Sequence, residues 1–573
     1  MQEQTKQCQN CKNKFTIEPE DFSFYEKISS ASGGKVPPPT FCPECRMIRR
    51  FSAINIWSLY KRSCGRCGDS IISIYAPENP RIVYCLTCWW ADDWDGTEYG
   101  REYNPSRPFF EQLRELSEIT PYQALESAHL TMTNSDYCNA AGHLKNCYLC
   151  YWADYCENTY YSSFLNGLKD SLDCYRVKKS ELLYECIGMN ASYNCIFSEE
   201  CDSCNNVHFS RSCFGCTNCI GCINLRGSSY CIFNKKYSKE EYKTEVAKMK
   251  LETMTGIRAT RERAEAFWLK HPRREYIGNS LNFNVTGEYV YESKNSKDMY
   301  MCSGAEDCRW CQIISMAPAR DCYDYSGWGN GAERIYESVV VGEGARDVKF
   351  SLECWPNVLE TEYSMYAIAG KYNFGCVNLK HKQYAILNKV YTEDEYKKLR
   401  TRIIADMERN PYVDAQGRVW KYGEFFPISM NLFAYNESVA HLFFPKEKKQ
   451  AIAEGYQWYE GTRSEYTITK QACELPETIS EVADIIIKEV IECANCRRAY
   501  RIIESELMLY RKMNLPPPRI CPACRHTRRF NRCAKPIFYD RICAKCSKSI
   551  KTSYAPDRPE IVYCEKCYQQ EVY

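Results

Sequence analysis

Histidine is scarce: 7 residues in a chain of 573 (His129, His143, His208, His271, His381, His441 and His526), with no pair at metal-ligand spacing. That excludes an HExxH-type zinc hydrolase site. There is also almost no net charge. Lysine and arginine number 75 against 73 acidic residues, a balance of +2, which excludes a global field steering the chain to nucleic acid or membrane. No apolar run approaches the length of a membrane span. Phosphate-binding glycine loops (P-loop, GxGxxG) and the nucleophile elbow are missing, so no sequence-local nucleotide or acyl-transfer site is legible. A Cys–His pair assembled by the fold stays open.

Cysteine and tyrosine are abundant, at 38 and 45 residues. The chain reads without a secretory leader, so close cysteine pairs are expected to be metal ligands in a reducing cytoplasm rather than disulfides. Cys64-x2-Cys67 and Cys85-x2-Cys88 are separated by seventeen residues, and Cys543, Cys546, Cys564 and Cys567 repeat that spacing. Each set follows another: Cys8, Cys11, Cys42 and Cys45 at the front, Cys493, Cys496, Cys521 and Cys524 at the back. Two close thiolate pairs close a tetrahedron around zinc, so about four zinc ions per chain are expected. Spacing leaves open whether the ligands pair in sequence or interleave across modules. Complete four-cysteine sets keep no position for substrate, which points to structural metal.

The two cassettes match beyond cysteine. Cys42-Pro-Glu-Cys-Arg-Met-Ile-Arg-Arg-Phe51 is echoed by Cys521-Pro-Ala-Cys-Arg-His-Thr-Arg-Arg-Phe530, and Ile82-Val-Tyr-Cys85 by Ile561-Val-Tyr-Cys564. From Cys42 onward they align without a gap. The pattern of CxxC, a Phe15-x-Ile17 strand, an acidic turn, Phe24-Tyr25 and then C-P-x-C-R resembles the small bacterial family described as "probable zinc-ribbon". That resemblance implies a metal-held fold for roughly the first fifty residues of each cassette. So short a segment buries too little apolar surface to fold alone, and metal binding of ~10–16 kcal/mol per site supplies the deficit.

Between the cassettes, triplets such as Asn146-Cys-Tyr148, Asp173-Cys-Tyr175 and Tyr193-Asn-Cys195 recur among Asn, Ser, Gly and Asp. Strands this short fit a stack of the β-solenoid kind. Cys222-Ile-Asn-Leu through Glu-Glu-Tyr242 matches Cys376-Val-Asn-Leu through Asp-Glu-Tyr396, each ending in a capping box that opens a helix, expected over 239–270 and 393–408. The expected fold is mainly β with some α: duplicated four-cysteine zinc-ribbon cassettes flanking two repeated short-strand units, each followed by a helix. Its modules are 1–60 and 61–92 (zinc ribbons), 93–133 (helical, aromatic linker), 134–278 and 279–410 (β-repeats with helices), 411–483 (aromatic-rich connection), 484–535 and 536–573 (zinc ribbons). Arg107-Pro-Phe-Phe-Glu-Gln-Leu in the linker reads as a short helix that docks the cassette on the middle region. With the aromatic motifs Gly423-Glu-Phe-Phe-Pro427 and Phe433-Ala-Tyr-Asn-Glu437, the full length resembles a family of zinc-ribbon-flanked proteins of ultra-small, patescibacterial-type bacteria. The resemblance implies cytoplasmic zinc proteins and carries over no activity or catalytic residue.

Two features carry alternative readings. Cys201, Cys204, Cys213, Cys216, Cys219 and Cys222 resemble an iron–sulfur ligand run, or are compact hydrophobes at the turns of a strand stack. Arg46, Arg49, Arg50, Lys61 and Arg62, with Arg525, Arg528 and Arg529, form basic knuckles that contact phosphates, or are solvated and salt-bridged within their module. The leading expectation is a non-catalytic zinc protein binding RNA or a ribonucleoprotein through its cassettes. The alternatives are a protein–protein scaffold and a redox or iron–sulfur enzyme using the central cysteines.

Overall fold

The computed structural model describes residues 2–32, 34–278, 281–461 and 466–572. The chain divides into two compact units, each assembled from two separated stretches: Met1–Ala124 with Tyr276–Glu460, and Leu125–Glu275 with Gly461–Tyr573. The fold is mainly β with some helix, built on β-solenoid with four-cysteine groups near both termini.

The solenoid of the Leu125–Glu275 stretch is the more regular. Ser163 pairs with Tyr175, Asn166 with Lys178, Lys169 with Glu181 and Leu172 with Tyr184, all parallel and all 12 residues apart. Pairings three residues apart around a 12-residue turn give each turn four short sides. The local cause is a triplet rule. The second residue of each triplet is left-handed, as at Asn146, Leu149, Trp152 and Tyr155, and the third points inward, as at Cys147, Cys150, Ala153 and Cys156. Asparagine and aspartate suit the left-handed position because they adopt it at least cost among side-chain-bearing residues. Cysteine, serine, alanine and valine suit the narrow interior. Interior serines use both hydrogen-bonding capacities: Ser162 Oγ accepts from Cys174 N at 2.9 Å and donates to Tyr160 O at 2.8 Å. These buried hydroxyls are thereby satisfied.

The stack ends on a two-residue turn, Phe233-Asn234, both left-handed, which reverses the chain into an antiparallel strand, Lys235–Lys236. Asn234 makes both side-chain bonds to the backbone of Ile223, at 2.9 and 3.0 Å, extending the ladder by one amide. Ser238 and Glu241 then form a capping box on the helix Lys239–Ala247. A second helix, Met254–Trp268, follows with Thr253 as its cap. The single helix expected over 239–270 is thus two, because the chain turns left-handed at Lys250 and Thr253 recaps it.

The solenoid of the Tyr276–Glu460 stretch has less even turns, with register steps of 12 (Tyr300 to Gln312), 14 (Gln312 to Ser326) and 13 (Tyr336 to Lys349). It ends on Leu387-Asn388, both left-handed, with Asn388 bonded twice to Val377 at 2.8 Å, then a Thr392/Glu395 capping box and the helix Glu393–Arg409. The linker helix is present as Phe109–Ile119 and packs Phe109 against Phe374 and Phe110 against Tyr363 of this solenoid, with ring centroids 5.2 and 5.4 Å apart.

Candidate metal centres and their docking seats

The sixteen cassette cysteines form four separate groups, and within each group the Sγ atoms lie within 4.8 Å of one another. The ligands therefore pair in sequence, not across modules. A metal with ~2.3 Å bonds to four thiolates in a tetrahedron sets neighbouring sulfurs about 3.8 Å apart. The observed contacts are 3.6 Å (Cys11–Cys42), 4.0 Å (Cys67–Cys85), 3.7 Å (Cys496–Cys521) and 3.7 Å (Cys546–Cys564). The donor set fits a metal ion without rearrangement.

Backbone N–H groups support the sulfurs. Cys42 N donates to Cys8 Sγ at 3.3 Å, and Cys85, Cys521 and Cys564 N donate to Cys64, Cys493 and Cys543 Sγ at 3.2 Å. Burial pushes the Cys64 thiol up, but N–H groups of Cys85, Cys67 and Arg66 outweigh it and bring it down to about 6. The same balance holds Cys543 at about 6 and Cys493 at about 7. In the first module of each cassette an asparagine between the first two cysteines adds a donor: Asn10 Nδ2 to Cys45 Sγ at 3.5 Å and Asn495 Nδ2 to Cys524 Sγ at 3.3 Å. Such outer donors fix ligand orientation and the charge on sulfur.

The arginines following C-P-x-C are placed otherwise than on a basic outer face. Cys42 and Cys521 start the short helices Pro43–Ser52 and Pro522–Phe530, whose inner faces rest on the solenoid walls. Arg46, Arg49 and Arg50 are fully buried. Arg46 lies 2.7 Å from Asp324, Arg49 is 2.5 Å from Glu337 and 3.2 Å from Glu424, and Arg50 is 3.0 Å from Asp324 and 2.8 Å from Glu337. In the other unit, Arg525 lies 2.7 Å from Asp173 and 2.9 Å from Glu506. Arg529 is 2.7 Å from Asp173, and Arg528 is half-exposed, 2.5 Å from Glu185.

Each seat is a column of left-handed wall residues on successive turns: Trp310, Asp324, Glu337 and Phe350 in one unit, and Tyr161, Asp173, Glu185 and Phe197 in the other. The aromatic at the head of each column takes the first guanidinium, Arg46 at 4.9 Å from the Trp310 ring centre and Arg525 at 5.0 Å from that of Tyr161. Burial pushes the Glu337 carboxyl above its usual range, helped by Asp324 beside it and opposed by the arginines; at Glu185 burial is outweighed by Arg528 and Arg529, and the carboxyl lies below it.

The salt-bridged reading of the arginines therefore stands, with one correction. Their main partners are on the solenoid wall and not only within the cassette, and Arg46, Arg49, Arg50, Arg525 and Arg529 present no surface to phosphate. Arg62 is half-buried and donates to Ala76 O and Arg81 O at 3.2 Å, whereas Lys61 is exposed. Sequence reading missed Asp173, Glu185, Asp324, Glu337, Glu424 and Glu506. For the four wall carboxylates the available signal was acidic residues at one-turn spacing in the second place of the triplet, whereas Glu424 and Glu506 lie outside the solenoid.

The central cysteines line the interior of the first solenoid. Cys204 Sγ points to Asp202 O at 3.3 Å and Cys213 O at 3.5 Å, and Cys222 Sγ to Ile220 O at 3.4 Å and Cys231 O at 3.5 Å. Cys201, Cys213, Cys216 and Cys219 likewise reach the carbonyl two residues back, at 3.3 to 3.5 Å. These thiols line up along an axis. Among the described residues, three or more ligand atoms converge only in the four terminal groups. No protein-family model matches the chain, and no curated protein is similar to it.

Proposed function

We propose that this chain is a non-catalytic zinc protein in which each cassette staples a helix to a β-solenoid, and that the solenoid wall is the face offered to a protein partner. The carrying observation is the burial of Arg46, Arg50, Arg525 and Arg529 against wall carboxylates. A cassette whose basic residues are committed inside its own unit acts on its own chain. Zinc is the metal we assign, since four thiolates in a tetrahedral set suit it and close its coordination. When bound, it fixes the first turn of the arginine-bearing helix. We read the chain as two copies of one cassette-on-solenoid unit held in a reducing compartment, since all sixteen ligands act as thiolates.

RNA or a ribonucleoprotein would have to be held by residues other than these arginines, and a protein partner is the reading we carry. Native mass spectrometry of anaerobically purified protein tests both parts. The expected result is four zinc ions per chain and a protein adduct that survives nuclease and high salt. Iron in the terminal sets, or an RNA adduct lost as salt rises, would overturn it.

A further inference from the structure

We propose that the first turns of the solenoid in the Leu125–Glu275/Gly461–Tyr573 unit form a binding groove for a linear oligosaccharide. Between the wall and the helix Glu504–Lys512 lies a groove of about 790 Å³. One column of wall residues forms its polar rail. Asn134 donates to Asn146 at 3.1 Å, Asn146 to Asn158 at 3.1 Å, and Asn158 to Asp170 at 2.8 Å. Lys512, from the helix, closes that end on Asp170 at 2.8 Å. Each rung uses one amide hydrogen and one carbonyl lone pair on its neighbours, leaving one of each for a ligand. A sugar hydroxyl both donates and accepts, and matches that pair.

Tyr148 and Tyr160 line the groove beside the rail, and the Tyr137 ring lies 5.2 Å from that of Tyr148. Aromatic faces suit the C–H faces of a pyranose. On the helix side, exposed Met508 supplies an apolar surface that adapts to shape. The period is the discriminating feature. Rungs recur once per turn, at about 4.8 Å, whereas an extended peptide repeats every two residues, at about 6.8 Å. The rung spacing is close to the advance of one pyranose along an extended glucan, so successive rungs meet successive sugars, alternately turned about the chain axis in a β-1,4-linked chain. A peptide falls out of step after one rung.

Backbone geometry alone does not account for the amides. Asn134, Asn146 and Asn158 are left-handed, with φ of 48°, 54° and 49°, but in the same column Leu182 and Tyr230 hold φ of 56°. Asn194, Asn206 and Asn218 continue the column outside the groove, with rung bonds of 2.6 and 3.3 Å, and provide an internal control.

The test is calorimetric titration of the full chain with cellohexaose, maltohexaose and chitohexaose. At least one is expected to bind with a dissociation constant of about 1 mM or tighter. The double variant Asn146→Gly/Asn158→Gly keeps a residue suited to the left-handed backbone. It is expected to stay folded, with a melting temperature lowered by the lost rung bonds, and to bind at least about tenfold more weakly. Tyr148→Leu, which leaves the ladder intact, is expected to weaken binding to a similar degree, and Asn206→Gly to leave it unchanged. No binding by any of the three sugars, or wild-type affinity in the double variant and in Tyr148→Leu, would overturn the proposal.

Discussion

The Arg50 guanidinium lies 2.8 Å from the Glu337 carboxylate, 287 positions away in the chain, and neither side chain reaches water. The same nitrogen lies 3.0 Å from Asp324, one solenoid turn before Glu337. In the other unit Arg529 sits 2.7 Å from Asp173 and 3.5 Å from Glu185, again one turn apart. A helix that starts at a four-cysteine set thus delivers a cation to two stacked carboxylates. Both ends of that contact are fixed by rigid elements.

Removing one member of such a buried set strands the others. Glu337→Gln leaves Arg46, Arg49 and Arg50 with too little negative charge in a dry seat, and is expected to destabilise its unit by roughly 3–5 kcal/mol. Asp173→Asn is expected to do the same in the other unit. Glu157→Gln breaks only solvent-facing pairs, with Lys145 at 2.7 Å and Lys169 at 3.9 Å, and should cost less than about 1 kcal/mol. Urea unfolding of the three variants checks the ranking, and equal losses would contradict the account of the seats.

Terminal and central cysteines should separate cleanly by metal content. Cys45→Ser or Cys524→Ser is expected to remove one metal equivalent and loosen the attached helix. Cys213→Ser and Cys216→Ser keep a small donor in the solenoid interior and are expected to leave the metal count unchanged. Elemental analysis of the purified variants decides, and metal lost from the central variants would bring the cluster reading back.

Acid stability should carry the mark of Glu362. Burial pushes its carboxyl up, but Arg400, Lys349 and the Tyr422 hydroxyl outweigh burial and hold its pKa at about 2. Unfolded, the same group titrates near 4.5. Its contribution is complete above that value and is lost as pH falls from about 4.5 towards 2, roughly 3 kcal/mol in all. Urea midpoints across this window should fall for wild type and fall less for Glu362→Gln. Parallel curves would show that the group is not held as described.

The metal sets were legible because their information is local: two CxxC pairs at fixed spacing define a tetrahedron whatever surrounds them. The capping boxes at Ser238 and Thr392 were legible for the same reason. The solenoid showed only as recurring triplets, since an inward residue at every third place, drawn from Cys, Ser, Ala, Val and Leu, produces neither the two-residue nor the helical period. The role of the arginines was hidden because their partners lie 274 to 375 positions away from Arg50 and Arg49. A basic cluster that seats on an acidic wall reads, from sequence, like one that seats on phosphate.

Hydrogen exchange with and without a zinc chelator tests the central claim most directly. Metal removal is expected to abolish protection in Pro43–Ser52 and Pro522–Phe530, while the solenoid strands Thr217–Ile220 and Tyr336–Gly342 keep theirs. Helices that stay protected after the metal is gone would contradict the claim that zinc staples each cassette to its solenoid.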